Sequence, residues 1–481
     1  MASMKHSSST RTDCDALIVG AGLAGLYAGY LLGRSNISYA ILEADDRPGG
    51  RVYSRPEASS TLGLTLDEGA NLINSTDMLA IRLMNNASIS YVRRLSPRAE
   101  SMHYFVGGVG YSQAEADALL FAESPAAIAQ FAADQQIWRD DRDRDINPKF
   151  TDDSIIAYLA KIEAGPVFTR LLASFFWSEY GHGLAELNLL VLFDYLDIDI
   201  ARRTFHLIPK ADEAYTVPGG TGQISQLLAM ANAERINYGR RVVSIHEGEN
   251  CIEVRHAGKD GTVTTSLARH VFFAAPLHAL RHIDVDVEGI SQQSLEMARR
   301  ATYASGTKLH MKFYEGFHKR YRFTGILLTE TGEQIWPSSI GQGGAGLLTV
   351  LTGPLERDGQ DGAEERAQHI LRILDTLDHG ISSLFAGVER SDAPLSYSGA
   401  LKPGEKAQLS IHDGGNRWTT IGEASGGELQ GYLEGALRSA DHGLAEFLIR
   451  RRWATGHRKR MLTRARQMME DEGFDWAGVD T

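Results

Sequence analysis

Cysteine is nearly absent: Cys14 and Cys251 are the only two in 481 residues. Two thiols cannot build the disulfide framework of a small secreted domain or a thiolate metal centre, so a reducing, cytoplasmic location is expected. The zinc-type pair His-Glu-x-x-His is missing among the 16 histidines. His182, His278 and His310 are therefore read as structural, and no metal is expected. A basic surface is lacking as well, the formal net charge being −12, which disfavours nucleic acid as a partner. No run of about 18 apolar residues occurs, so no membrane span is expected. The most apolar region, Leu187 to Leu196, is interrupted by Asn188, Asp194 and Tyr195 and reads as a buried helix. The polar tail 1–12 has no apolar segment of the kind that marks a signal peptide. There is no G-x-S-x-G nucleophile elbow and no internal repeat.

What is present is ordinary globular composition, 43% apolar and 23% charged, at a length that calls for two or three domains. Near the start, Ala16-Leu17-Ile18-Val19 reads as a buried parallel strand running into a glycine turn. A helix from about Leu23 to Gly33 and a second strand, Tyr39 to Leu42, complete a βαβ unit. The chain turns helical and mixed from about Met78 to Phe205. Strands return at Arg241 to Ile245, Ile252 to Val254 and His270 to Pro276, and the segment Trp418 to Ile449 reads strand, glycine-rich turn, long helix.

The turn itself is Gly20-Ala21-Gly22-Leu23-Ala24-Gly25, a G-x-G-x-x-G pattern between strand and helix, with Glu43 closing the next strand. Gly20 permits the tight turn, Gly22 lets backbone approach a pyrophosphate, and Gly25 lets helix and strand pack closely. The helix N-terminus offers free N–H groups to phosphate, and Glu43 can accept from ribose hydroxyls while repelling a 2′-phosphate. These features favour FAD or NAD over NADP.

Glu43-Ala44-x-x-Arg47-x-Gly49-Gly50-Arg51 and then Asp67-Glu68-Gly69-Ala70-Asn71 follow in sequence. This pair of segments resembles the second fingerprint of the flavin-containing amine oxidases and the stretch that passes near the flavin in that family. The resemblance extends along nearly the whole chain. Val217-Pro218-Gly219-Gly220, Val242-x-x-Ile245, Ile421-Gly422-Glu423-Ala424-Ser425 and Gln430-Gly431-Tyr432-Leu433-Glu434-Gly435-Ala436 occur in the family's order. It implies an α/β fold: a Rossmann-like FAD domain of the GR2 type plus an α+β substrate domain, interleaved in sequence. The implied FAD domain takes 13–80, 206–285 and 415–450, the substrate domain 81–205 and 286–414, and a charged tail 451–481 follows. The implied cofactor contacts are Gly20, Gly22, Gly25, Glu43, Ala44, Gly50, Arg51, Val242, Glu423 and Leu433. Some members attach flavin through a cysteine beside the substrate. The corresponding residue here is Ala400, so FAD is expected to be non-covalent.

The resemblance also implies a reaction: hydride transfer from a neutral amine to flavin N5, giving an imine and, with O2 as acceptor, hydrogen peroxide. Lys308, within Tyr303-x-x-Gly306-x-Lys308-x-x-x-x-Phe313, matches the family lysine, with a pKa lowered by desolvation. Lys312 falls on the same strand face, so alternation alone cannot separate the two. Tyr432 matches one ring of the family's aromatic cage. The second ring is replaced by Leu401, and Leu429 stands where a tryptophan is common, so the two-ring cage is expected to be incomplete unless Tyr397 or Trp336 fills in, with Asn71 a further cavity candidate. Glu179 and Tyr180 are further candidates. The arginine that would hold an amino-acid carboxylate is absent after Ala70, where Asn71, Leu72, Ile73 and Asn74 stand. A small amine is thus the expected substrate, with a homodimer left open. The alternatives are a desaturase or dehydrogenase, or an amino-acid oxidase, acting on a larger specialised substrate, and a flavin-binding regulator without turnover.

Overall fold

The computed structural model describes residues 13–59, 61–94, 102–141, 143, 146–316, 325–355, 360–377, 380–393, 396–399, 401–405 and 417–450. The tails 1–12 and 451–481, and Ala400, lie outside these residues.

The first sheet has eight strands and grows from the chain start. Cys14–Val19 lies at its centre, parallel to Tyr39–Leu42 on one side and to the second half of Val263–Phe273 on the other. Ile236–Asn237 and Trp418–Thr420 extend this parallel core. Its central strands are largely apolar because both faces are covered. Ala16 and Ile18 join a cluster with Leu26, Leu437 and Phe447, while Leu17 and Val19 join Val271, Phe273 and Trp418 on the other face. The helices Leu23–Arg34 and Leu433–Arg450 pack side by side on the first of these faces. The first half of Val263–Phe273 pairs antiparallel with Ile252–Ala257, which pairs with Arg241–Glu247. That strand stops at Phe273, short of the expected Pro276, because Pro276 leads into the 3-10 turn Leu277–His282. The proline ring removes the N–H that a ladder would need.

The second sheet has seven strands in the order Phe385–Ala393, Gly306–Phe313, Gly346–Thr352, Glu333–Pro337, Ile326–Thr329, Met102–Val106 and Val109–Ser112. The last two strands lie in the stretch expected to be helical and mixed. The strand Gly306–Phe313, second from one edge, alternates strictly. Leu309, Met311 and Phe313 pack with Ile370 and Leu374 of the helix Gln360–Leu377. Lys308, His310 and Lys312 occupy the opposite face. Beyond this sheet a helical layer, residues 113–195, buries Phe131, Phe168, Phe175, Phe176 and Phe193. Leu189–Tyr195 is the expected buried helix. Between the sheets, Tyr215–Thr216 pairs with both Leu72–Ile73 and Val92–Arg93, so the chain crosses there three times.

Candidate active site

The glycine turn forms where the first strand ends. A methyl group on Gly25 would collide with the Gly20 carbonyl oxygen, whereas one on Gly22 would meet nothing within 4 Å. Gly25 is thus fixed by packing, and Gly22 faces open space at the N-terminus of the helix Leu23–Arg34, where backbone N–H groups remain free for an anion. The Glu43 carboxylate accepts from Ala21 N at 2.6 Å and from Asp45 N at 2.9 Å. Ala44 is half-buried beside it, and the Arg240 N–H donates to the Glu43 carbonyl at 2.7 Å, which brings the strand of buried Val242 alongside. Gly49 N donates to Ala21 O at 2.8 Å, so the turn carrying Gly50 and Arg51 closes over the first glycine turn. Arg51 then reaches Glu423 at 2.7 Å and the Ser396 carbonyl at 3.0 Å. Glu423 also accepts from Ser398 Oγ at 2.5 Å and Gly431 N at 3.1 Å. Leu433 is buried at the start of the C-terminal helix. Gly20, Gly22, Gly25, Glu43, Arg51 and Glu423 therefore lie along one connected rim. An open glycine, free helix-terminal N–H groups, a carboxylate and a guanidinium suit a long dinucleotide such as FAD.

Lys308 is half-buried, and its ammonium donates to the carbonyls of Asp67 and Gly69. Burial pushes its pKa from 10.5 down to about 8, with Asp67 and Glu68 opposing. Lys312 instead bonds Glu389 at 2.8 Å and lies 3.5 Å from Glu57. The two lysines that alternation leaves equivalent are thus separated by their partners: only Lys312 is ion-paired to a side chain here. Burial also raises the Asp67 carboxyl, against the lowering effects of Ser54, Lys308, Asn71 and Thr221. Asp67 accepts from Ser54 Oγ at 2.5 Å, Asn71 Nδ2 at 2.6 Å and Thr221 N at 2.9 Å. This fixes the backbone whose carbonyls hold Lys308.

Two hydrogen-bonded groups lie between here and the helical layer, the first joined to Asp67 through Asn71. In one, Asn71 accepts from Trp336 Nε1 at 2.6 Å. In the other, Glu179 accepts from Gln334 Nε2 at 2.8 Å and from the Tyr397 hydroxyl at 2.5 Å. Tyr397 neighbours Ser398, which holds Glu423. Tyr432, Tyr397, Tyr180, Tyr195, Trp336 and Leu401 all pack in one aromatic cluster. Leu401 is buried there, and the Tyr397 ring lies beside Gly431, the residue that precedes Tyr432. Burial holds Glu179 above its ordinary range, with Tyr397 and Gln334 opposing. Glu213 is pushed up from 4.5 to about 7 by burial, with Arg94 opposing and Glu179 and Asp212 adding to the rise.

Glu213, Tyr195 and Arg94 are parts of this cluster that the sequence reading missed. Tyr195 had a signal, as an interruption in an apolar helix. Glu213 had none: it sits in an irregular segment with φ of 43°. Arg94, the arginine buried here, is committed to Glu213 and to the Gly325 carbonyl. Among the described residues no group of three potential metal ligands comes together. Cys14 and Cys251 are both buried and free in the first sheet region, away from this cluster.

A glycine-rich dinucleotide rim, a desolvated lysine held on backbone carbonyls and an aromatic cluster together suit a flavin-dependent oxidoreductase of mixed α/β architecture. A family model described as flavin containing amine oxidoreductase matches residues 23–442, and the chain belongs to that family: it is an FAD-dependent amine oxidase. An L-amino acid dehydrogenase of Synechocystis sp. is 25% identical to it, over 89% of this chain and 94% of that protein. The flavin-containing amine oxidase B of Sus scrofa is 23% identical, over 67% of this chain and 61% of that protein. In fold, the cyclohexylamine oxidase of Brevibacterium oxydans matches with a TM-score of 0.71 at 17% identity, covering 95% of this chain and 100% of the other. No helix among the described residues is long and apolar enough to cross a membrane.

Proposed function

We propose that this enzyme oxidises a small amine without a carboxylate, with O2 as electron acceptor and hydrogen peroxide as the second product. In this reading Gly20, Gly22, Gly25, Glu43, Ala44, Gly50, Arg51, Val242, Glu423 and Leu433 hold the cofactor. They belong to a cofactor unit of residues 13–80, 206–285 and 415–450, and 81–205 with 286–414 form the substrate unit. FAD supplies the hydride acceptor when bound. The protein's part is to place the amine, keep water out and hold charge at Lys308.

The observation that carries the reading is the desolvated Lys308 ammonium on the Asp67 and Gly69 carbonyls, joined through Asp67, Asn71 and Trp336 to the aromatic cluster. Tyr432 and Tyr397 belong to that cluster and desolvate the amine, whose neutral form presents the lone pair needed for C–H cleavage. Tyr397 is fixed by Glu179, so its ring is pre-positioned rather than free to rotate. Lys308 is the group that stabilises negative charge as oxygen is reduced. The rim guanidinium Arg51 and the cavity guanidinium Arg94 are already paired with Glu423 and Glu213, which weighs against a substrate carboxylate.

A second reading, an amino-acid substrate, is favoured by the similarity to the L-amino acid dehydrogenase. It requires Arg94 to exchange Glu213 for the substrate. Anaerobic mixing with amines and with amino acids separates the two: flavin bleaching by amines supports the proposal, and bleaching by amino acids alone overturns it. The cysteine content points to a cytoplasmic enzyme.

A further inference from the structure

The strand face that carries Lys308 carries His310 and Lys312 at the next two alternate positions. All three face the segment 54–69: Lys308 through the Asp67 and Gly69 carbonyls, Lys312 through Glu57, and His310 beside the charge of Arg55. Both lysines are satisfied. His310, between them, is completely buried, and neither Nδ1 nor Nε2 has a hydrogen-bond partner in the protein. Two unpaired ring nitrogens in a protein interior are costly, and the usual remedy is an internal water. Residues two apart on a strand stand about 7 Å apart, a gap that one water spans between an imidazole and an ammonium.

On the other side of His310 a route leads outward. Glu389 is its partner on the neighbouring strand. Glu389 bonds Lys312 and Arg55, each at 2.8 Å, and Arg55 bonds Glu68 at 2.5 Å. Arg55 and Glu68 reach solvent, with side chains 26% and 29% exposed.

We propose that His310 is a positioning residue for Lys308: through buried water it connects the Lys308 ammonium to the Glu389, Arg55 and Glu68 cluster and so gives that ammonium its proton exchange with solvent. The inference rests on Lys308 being the group that faces the flavin. The reaction needs such a route. The amine loses a hydride and becomes an iminium ion, which later releases a proton. When the two electrons and the transferred hydrogen leave with O2 as hydrogen peroxide, one proton must come in from outside. The ionisable groups around the route are Asp67, Glu68, Arg55, Glu57, Lys312 and Glu389. Burial first, then Lys308 and Arg55, push the His310 pKa down to about 3, with Glu389 opposing. The ring therefore stays neutral and offers one donor and one acceptor, which is what a water-linked bridge requires.

The test is NMR on the holoenzyme with 15N-labelled lysine and histidine side chains, Lys308→Met identifying the Lys308 signal. In wild type the His310 ring should show a neutral imidazole with a hydrogen-bonded N–H. In His310→Leu the Lys308 titration midpoint should fall by about one pH unit, as expected for loss of one hydrogen bond to a charged group, and its proton exchange should slow about tenfold. His310→Gln should restore both. A wild-type ring whose N–H is not hydrogen-bonded overturns the proposal without any variant. So does a Leu variant with unchanged midpoint and exchange. Neither readout depends on which substrate is turned over, so failure here is distinct from failure of the amine reading.

Discussion

Replacing Lys308 by methionine removes one desolvated ammonium and little volume. Burial lowers this group from 10.5 to about 8. At about 1.4 kcal/mol per pH unit, keeping the charge costs the fold roughly 3 kcal/mol near neutral pH. Because the folded pKa is depressed, the folded chain holds fewer protons than the unfolded chain between about 8 and 10.5. Wild-type stability therefore rises across that window and is lowest, on this account, below it. In Lys308→Met the rise should vanish. The variant should be about 1–3 kcal/mol more stable at pH 7, the lower figure allowing for the lost bonds to the Asp67 and Gly69 carbonyls. Catalysis should suffer on one side only. Losing one preorganised charge costs about 10²–10³ in a step where negative charge develops, which here is oxygen reduction. C–H cleavage should change less than about tenfold. Urea unfolding at pH 7 and 10, with stopped-flow measurement of flavin reduction and reoxidation separately, reads all of this. Wild-type reoxidation together with an unchanged pH dependence of stability would refute the reasoning.

Three further outcomes are expected. Gly22→Val should leave the apoprotein folded but weaken FAD binding more than about tenfold, since its side chain enters open space at the cradle. Gly25→Ala should instead lower stability by about 2 kcal/mol or more through its collision with Gly20; thermal melts and flavin titration distinguish the two. Acid precipitation should release all the flavin into the supernatant, and colour retained in the pellet would contradict non-covalent binding. Glu213 is raised from 4.5 to about 7, so the stability it contributes is present below about 4.5 and lost as pH rises through about 7. Glu213→Gln should flatten that fall in a denaturation series, and an unchanged slope would assign the pH dependence elsewhere.

The cradle was legible in the sequence because its parts are local. Gly20 to Gly25 and Glu43 to Arg51 are contiguous, and their spacing reflects one turn and one crossover. The aromatic site was legible only in pieces. Lys308 and Lys312 share a strand face, and what tells them apart is a hairpin from residues 54–69 that supplies carbonyls to one, and Glu57 with Glu389 of the neighbouring strand, which supply carboxylates to the other. Tyr397 could be named as a replacement ring, but its anchor Glu179 lies 218 residues away in sequence, a pairing no local pattern encodes. Glu213 and Arg94 meet only because the chain crosses between the layers near both. His310 reads as a core histidine by composition, and its unpaired nitrogens become visible only once its neighbours are placed.

The central claim is most directly tested by mixing the purified holoenzyme anaerobically with a panel of amines, polyamines and amino acids while following the visible absorbance of the flavin. The account predicts bleaching by at least one amine that lacks a carboxylate. A flavin that stays oxidised with every amine, while an amino acid or an apolar C–C substrate reduces it, would contradict it.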